Sequence, residues 1–206
     1  MPALQQPILE GKHVRLLPLS TEHVQSLVTA ASVSRETYRF TWVPDGQEAM
    51  RRYVDAALLA RDAGAAVPFA TVRRADGRVV GSTRFGNLEY FTWPGGTAKK
   101  PPEPPDAVEI GWTWLSPDAQ RTAINSEAKL LMLGHAFETW GVQRVNLRTD
   151  ARNLRSRTAI ERLGAKLDGI LRAHLPAYDG AGVRDTATYS LLASEWPAAK
   201  AKLATR

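Results

Sequence analysis

The spacing of hydrophobic positions changes several times along the chain, and each change marks an element. HVRLLPL, residues 13–19, reads as a first strand. Ser20 then stands where an N-cap would, and Val24, Leu27, Val28 and Ala31 follow at helical spacing. Between Gln47 and Asp62, the residues Met50, Tyr53, Val54, Ala57 and Leu58 fall on one face of a second helix. PFATVRR and RVVGSTRF flank Ala75-Asp76-Gly77 and predict a hairpin. AVEIGWTWL, residues 107–115, is aromatic and β-branched, a buried strand. From Ser126 to Trp140 apolar residues cover most of a helix circumference, which predicts a largely covered central helix that Gly141 ends. VQRVNLRT predicts another strand, Asn153–Leu163 a helix closed by Gly164, and LDGILRAHL and DTATYSLLA two final strands around YDGAGVR. Strand, helix, strand and helix in this half imply a parallel pair with a crossover. The whole predicts an α/β chain with a mixed central sheet flanked by helices, one domain over residues 1–206.

Residues 87–106 interrupt the pattern. Neither a helix nor a central strand can pass through PPEPP, because proline fixes φ and lacks a donor. The segment is an insertion with two readings. It is a surface loop, or it is a lid over substrate that uses Tyr90, Phe91 and Trp93 as apolar material.

Composition narrows the chemistry. The chain has no cysteine, so it has no disulfide and no thiolate metal site. His13, His23, His135 and His174 show no HxH or HExxH spacing, and no metal site is expected. No apolar run approaches the roughly 20 residues of a membrane span. The start, MPALQQPILEGKHVRLL, lacks the basic and apolar regions of a signal peptide. A cytoplasmic location is the expectation. A net charge of +6 suits acidic partners, either nucleic acid or a phosphate-bearing cofactor. The charge is scattered and no nucleic-acid motif appears, which argues against the former.

SPDAQRTAINSEAK, residues 116–129, lies between the strand at 107–115 and the central helix. A strand, a short loop and a helix N-terminus are a geometry that holds phosphate, because the first N–H groups of a helix lack partners and the macrodipole is positive there. The stretch contains no glycine, so it also reads as a plain connection capped by Asn125 or Ser126.

EIGWTWLSPDAQRTAINSEAKLLMLGHAFE resembles the acetyl-CoA motif of the GNAT N-acetyltransferase superfamily, in particular its RimJ/RimL-like branch. The family pattern is Gln/Arg-x-x-Gly-x-Gly/Ala, and Gln120, Ala123 and Asn125 stand at its positions with both glycine slots substituted. DARNLRSRTAIERLGA resembles the family's Asn-x-x-Ser helix through Asn153 and Ser156, and RDTATYSLLASEW its last strand. The resemblance implies a GNAT fold whose two parallel strands splay, with acetyl-CoA between 108–115 and 143–149. It implies that the backbone of Trp114, Leu115 and Ser116 meets the pantetheine arm. The loop Gln120, Arg121, Thr122, Ala123, Ile124, Asn125 and Ser126 would hold the pyrophosphate. Asn153 would touch the cofactor arm, and Ser156 would lie near the sulfur or the phosphates. Asn153 equally reads as a helix N-cap. Arg152, Arg155 and Arg157 read as a solvated basic face or as a source of one phosphate contact, for which Arg157 is taken.

Such a reaction needs a base for the amine and donors for the thioester oxygen. Glu109, on the strand entering the site among Val108, Ile110 and Trp112, is the candidate base, acting through water. Strand alternation puts Glu109 and Gly111 on one face and Ile110 and Trp112 on the other. Alternatively Glu109 pairs with Arg84 or Arg148. Ser156 is the second catalytic candidate; Tyr178 and Tyr189 are lesser ones for the leaving thiolate. The acceptor is a primary amine, on a protein N-terminus or a small molecule, and a homodimer accords with the branch. The rival readings are a GNAT-fold protein that binds CoA without catalysis and a basic nucleic-acid-binding module.

Overall fold

A computed structural model describes residues 4–204 apart from Ala98. Its strands are β1 (Leu9–Glu10), β2 (Val14–Pro18), β3 (Ala66–Arg73), β4 (Val79–Glu89), β5 (Ala107–Leu115), β6 (Arg144–Asp150), β7 (Lys166–Pro176) and β8 (Val183–Leu192). Its α-helices are α1 (Val24–Ser32), α2 (Gly46–Asp62), α3 (Ala123–Gly134), α4 (Leu154–Arg162) and α5 (Trp196–Ala204). The strands form one sheet in the order β1-β2-β3-β4-β5-β6-β8-β7. β5 and β6 are the parallel pair, as the crossover through α3 requires, and the other neighbours are antiparallel.

Each face of the sheet buries its own cluster. On one face Phe69, Phe85, Val108, Ile110, Val145 and Leu147 pack with Met132, Leu133 and Ala136 of the central helix and its continuation. On the other, Ala70 and Trp114 pack with Leu27 of α1 and Met50, Tyr53, Val54 and Ala57 of α2. The helical spacing read from the sequence is the spacing that these two helices bury. No helix among the described residues is long and apolar enough to cross a membrane.

The short β1 and the closing α5 were not read from the sequence, and three of the boundaries that differ have a clear local reason. The central helix starts at Ala123, because Thr122 in extended geometry accepts from the Ile124 N–H at 3.3 Å. Its last turn, His135–Thr139, widens into a π-helix before Gly141. The irregular insertion begins only after Glu89, since β4 runs past a register shift at Gly86–Glu89 in which Asn87 takes φ 46°.

The strict alternation expected along β5 also fails. Its register with β4 passes from Arg84–Gly111 to Ser82–Trp114, so Trp112 and Thr113 together oppose Thr83. This is a β-bulge, and Trp112 takes φ 51° within it. Ile110 stays in the core, whereas Trp112 leaves that face and is 44% exposed.

Glu127 of α3 ties the chain's start to its middle. Its carboxylate accepts from the N–H groups of Lys12, His13 and Val14 at 2.7, 2.6 and 2.8 Å. Gly11 makes room, since a Cβ there would lie 2.3 Å from Glu127 Cδ.

Candidate active site

β5 and β6 pair through Ala107–Arg144, Val108–Val145 and Glu109–Asn146 and then part. Beyond that point residues 110–115 of β5 and 147–150 of β6 border a V-shaped gap. The loop after β5 lies at its open end. A short 3₁₀ turn, Pro117–Ala119, carries the chain round, and Ser116 Oγ donates to Asp118 Oδ1 at 2.6 Å. That bond, with Arg73 close by, holds the Asp118 carboxyl below its ordinary range. Gln120 Nε2 donates to Leu115 O and to Thr37 Oγ1, both at 2.9 Å.

This geometry explains the missing glycines. Ala123 and Asn125, at the family's glycine slots, lie in the first turn of α3 and have no need of positive φ. The left-handed residue is Arg121, at φ 59°. Among the described residues, the N–H groups of Arg121, Thr122 and Ala123 have no partner in the chain. They are free donors at the positive end of a helix. Beside them opens a cavity of about 590 Å³ lined by Lys12, His13, Arg73, Arg74 and Thr122–Ile124. Arg73 is balanced by Asp76 and Asp118, while Arg74 donates to Gly11 O at 2.7 Å. Together these groups fit a pyrophosphate. Of the backbone groups expected to meet the pantetheine arm, two already have partners. The Ser116 N–H donates to Val80 O, and Leu115 O accepts from Tyr38 and Gln120.

The second motif sits where α4 begins. Asn153 is buried and caps the helix, its Oδ1 accepting from the Ser156 N–H at 3.1 Å. The N-cap reading therefore describes its side-chain oxygen. Arg155 reaches across to Gln120 Oε1 at 3.0 Å and Thr37 O at 3.2 Å, linking α4 to the loop after β5. Arg157 turns the other way. Its Nε donates to the Tyr189 hydroxyl at 2.8 Å, which in turn donates to Glu161 at 3.0 Å.

Glu109 is the last β5 residue paired with β6, and it is buried. Its Oε2 accepts from Asn87 Nδ2 at 2.8 Å and lies 3.2 Å from Arg148 Nε. Of the two arginines the sequence offered as partners, Arg148 makes the contact. Glu109 Oε1 lies over Gly111, 3.1 Å from where a Cβ on that residue would stand.

Two residues of interest were not singled out from the sequence. Tyr38 donates to Leu115 O at 3.1 Å, and burial pushes its hydroxyl up to about 12, so it stays protonated near neutral pH. Nothing in RETYRF announces this, because the contact is 77 residues away in sequence. Lys129 is buried on α3, and its Nζ donates to Thr113 Oγ1 at 2.6 Å and Thr83 Oγ1 at 3.0 Å. The signal was present: a lysine on a helix that is apolar nearly all round cannot avoid the core.

The insertion is organised by buried Asp106, which accepts from the Phe91 N–H at 2.9 Å and Lys99 Nζ at 2.9 Å, with Trp93 Nε1 at 3.4 Å. Tyr90 OH donates to Glu103 O at 3.4 Å. Asp106 immediately precedes β5, so these contacts lie at the opposite end of that strand from the loop at 116–122. A nine-residue strand spans about 30 Å.

Comparison with known proteins supplies an independent line. A family model described as an acetyltransferase (GNAT) domain matches residues 13–166. A GCN5-related N-acetyltransferase from Brucella melitensis is 30% identical, with a TM-score of 0.82 over 99% of this chain and 86% of that one. RimJ of Mycobacterium smegmatis, solved with CoA-disulfide, shares the fold at 18% identity, with a TM-score of 0.80 over 100% and 97% of the two chains. The microcin C7 self-immunity acetyltransferase MccE, solved with acetyl-CoA and AMP, does so at 14% identity, with a TM-score of 0.72 over 88% and 93%. No curated protein sequence matches the chain.

Proposed function

Because this chain belongs to the GNAT family of acetyltransferases, whose acyl donor is acetyl-CoA, we propose that it acetylates a primary amine on a small molecule or a protein N-terminus. The observation that carries the reading is the place of Glu109. A buried carboxylate stands where the two parallel strands part, with the free N–H groups at 121–123 beyond the other end of the gap.

Acetyl-CoA supplies an activated acyl group held as a thioester. Its pyrophosphate would be held by the free N–H groups of Arg121, Thr122 and Ala123, with Ile124, Asn125 and Ser126 forming the positive first turn of α3 behind them. Its pantetheine arm would run along the β5 edge near Trp114, with Asn153 facing it through the amide nitrogen that the cap leaves unused. Glu109 takes the amine proton on Oε1, directly or through a water, since Oε2 already meets Asn87 and Arg148. The C–N bond then forms and the C–S bond breaks. Ser156, in the first turn of α4, is assigned to the leaving sulfur, where the helix N-terminus also favours negative charge. Arg157 serves by holding Tyr189 and the α4 frame.

The test combines calorimetry with acetyl-CoA and release of CoA thiol across an amine panel. Binding with micromolar-class affinity and amine-dependent CoA release are expected. Binding without release for any amine would favour a CoA-binding protein that is not an enzyme. No binding by folded protein would overturn the reading, and a gain in melting temperature with DNA in place of CoA would favour the nucleic-acid alternative.

A further inference from the structure

Arg84 lies on β4 directly opposite Gly111, on the face that packs against α1 and α2. It keeps only 7% of its surface, and its Nε is buried without a partner. Among the described residues the guanidinium makes no ion pair and no hydrogen bond. A buried cation normally carries an anion, because removing it from water is costly otherwise. What holds Arg84 is aromatic instead. Its Cζ lies 5.1 Å from the ring centroid of Tyr53 and 5.1 Å from that of Trp112.

Several backbone features build this arrangement. The bulge at Trp112, with φ 51°, brings that ring to the Arg84 face. Gly86 admits it, since a Cβ at 86 would lie 2.5 Å from Trp112 Cζ3. Gly111 leaves the position opposite Arg84 bare. Such local departures persist only where the surroundings hold them, and they concentrate at ligand sites. Tyr53 is fixed in turn through its hydroxyl on Ser82 Oγ at 3.1 Å, and Trp42, 49% exposed, packs on it at 5.7 Å.

The neighbouring β4–β5 pair on this face, Gly86–Glu109, supplies the opposite charge. Two positions along a strand separate the pairs, about 7 Å. Glu109 Oε1 leans over Gly111, toward the residue that Arg84 opposes. An acidic group and a basic group thus stand side by side with an exposed aromatic rim around them. One molecule that carries both an amine and a carboxylate matches both.

We propose that Arg84 binds the carboxylate of the acceptor, which makes free α-amino acids the substrate class of this enzyme. The proposal rests on the acetyltransferase reading and adds to it the second half of the acceptor. The amine meets Glu109 while the carboxylate forms the ion pair that Arg84 lacks, in the bidentate geometry that guanidinium favours. The exposed indoles of Trp112 and Trp42 offer apolar surface to the amino acid side chain.

The experiment measures CoA release with the free L-amino acids and with the matching amino acid amides, for the wild type, Arg84→Lys and Arg84→Met. For the wild type, kcat/KM at least ten-fold higher for the acid than for its amide is expected. In both variants that ratio should fall to about one, chiefly through a higher KM for the acid. Arg84→Met should also melt no lower than the wild type, because it removes a buried charge that has no partner in the chain. Equal use of acids and amides by the wild type would overturn the proposal, as would Arg84 variants that keep the ratio. If acetyl-CoA binds and simple amines are turned over but no amino acid is, this inference falls and the acetyltransferase reading stands. If acetyl-CoA does not bind, that reading falls first.

Discussion

Lys129 sets a residue-scale expectation for stability. Burial alone lowers its ammonium to about 7 from an ordinary 10.5, with only Thr83 and Thr113 as hydrogen-bond partners among the described residues. Between those two values the unfolded chain holds a proton that the folded chain has released. The contribution of this group therefore rises with pH from about 7 to about 10.5, and below 7 the folded state bears the cost of a buried charge. The difference between wild type and Lys129→Met should thus change by roughly 3–5 kcal/mol across the window. Denaturant titrations at pH 6.5, 8 and 9.5 would reveal it, and a pH-independent difference would mean that Lys129 is hydrated. At Glu109 the test is kinetic. Glu109→Gln should lower kcat about 10²–10⁴-fold and leave acetyl-CoA affinity nearly unchanged. Wild-type turnover from pH 6 to 9 would make Glu109 a structural partner of Arg148.

Among the elements, the loop and α3 carry a clear expectation. Thr122→Ala removes the cap on Ile124 and should cost about 1 kcal/mol, read by chemical denaturation. The insertion carries another. Replacing residues 95–104 with a short Gly-Ser link removes Lys99 from Asp106 and Pro101 from its packing on Gly64, where a Cβ would meet it at 3.2 Å. Asp106 keeps the Phe91 N–H and Trp93, so the fold should survive with a small loss of melting temperature. Acetyl-CoA affinity should not change, because the insertion meets the far end of β5. Altered acceptor selectivity would support a lid, and unchanged selectivity a surface loop. Loss of folding would make the segment a structural element in its own right.

At the scale of the molecule, Glu127 joins residues 12–14 to α3 across more than a hundred positions. Glu127→Ala should cost about 3 kcal/mol, since three backbone donors lose a charged acceptor at once. Thermal and urea unfolding would report it. That contact could not be read from the sequence, because no local pattern encodes a partner so far away. What could be read had a local period behind it. The face Met50, Tyr53, Val54 and Ala57 is a 3.6-residue repeat, and a helix between two β-like runs forces a parallel pair. The loop between β5 and α3 was legible as a place, but its left-handed residue was not. The glycine slots pointed to Ala123 and Asn125, and the positive φ fell on Arg121, where only the turn geometry decides. The bulge at Trp112 was hidden for the same reason. An alternating pattern predicts a regular strand, and register is a property of two strands. For Glu109 the sequence left two arginine partners open, and only the side-chain geometry of the fold picks Arg148.

The parting of β5 from β6 leaves two strand edges inside the sheet instead of at its rim. In the free protein those edges should behave like rim strands. Their outward amides, among residues 110–115 and 147–150, should exchange with deuterium far sooner than those of β3, which is paired on both sides. A bound pantetheine chain would act there as a non-peptide strand, its own amides closing the ladder that the polypeptide leaves open. Exchange at those positions should therefore slow on adding CoA while the rest of the sheet stays as it was. The cofactor would then be, in covalent terms, the one segment of the sheet that the gene does not encode.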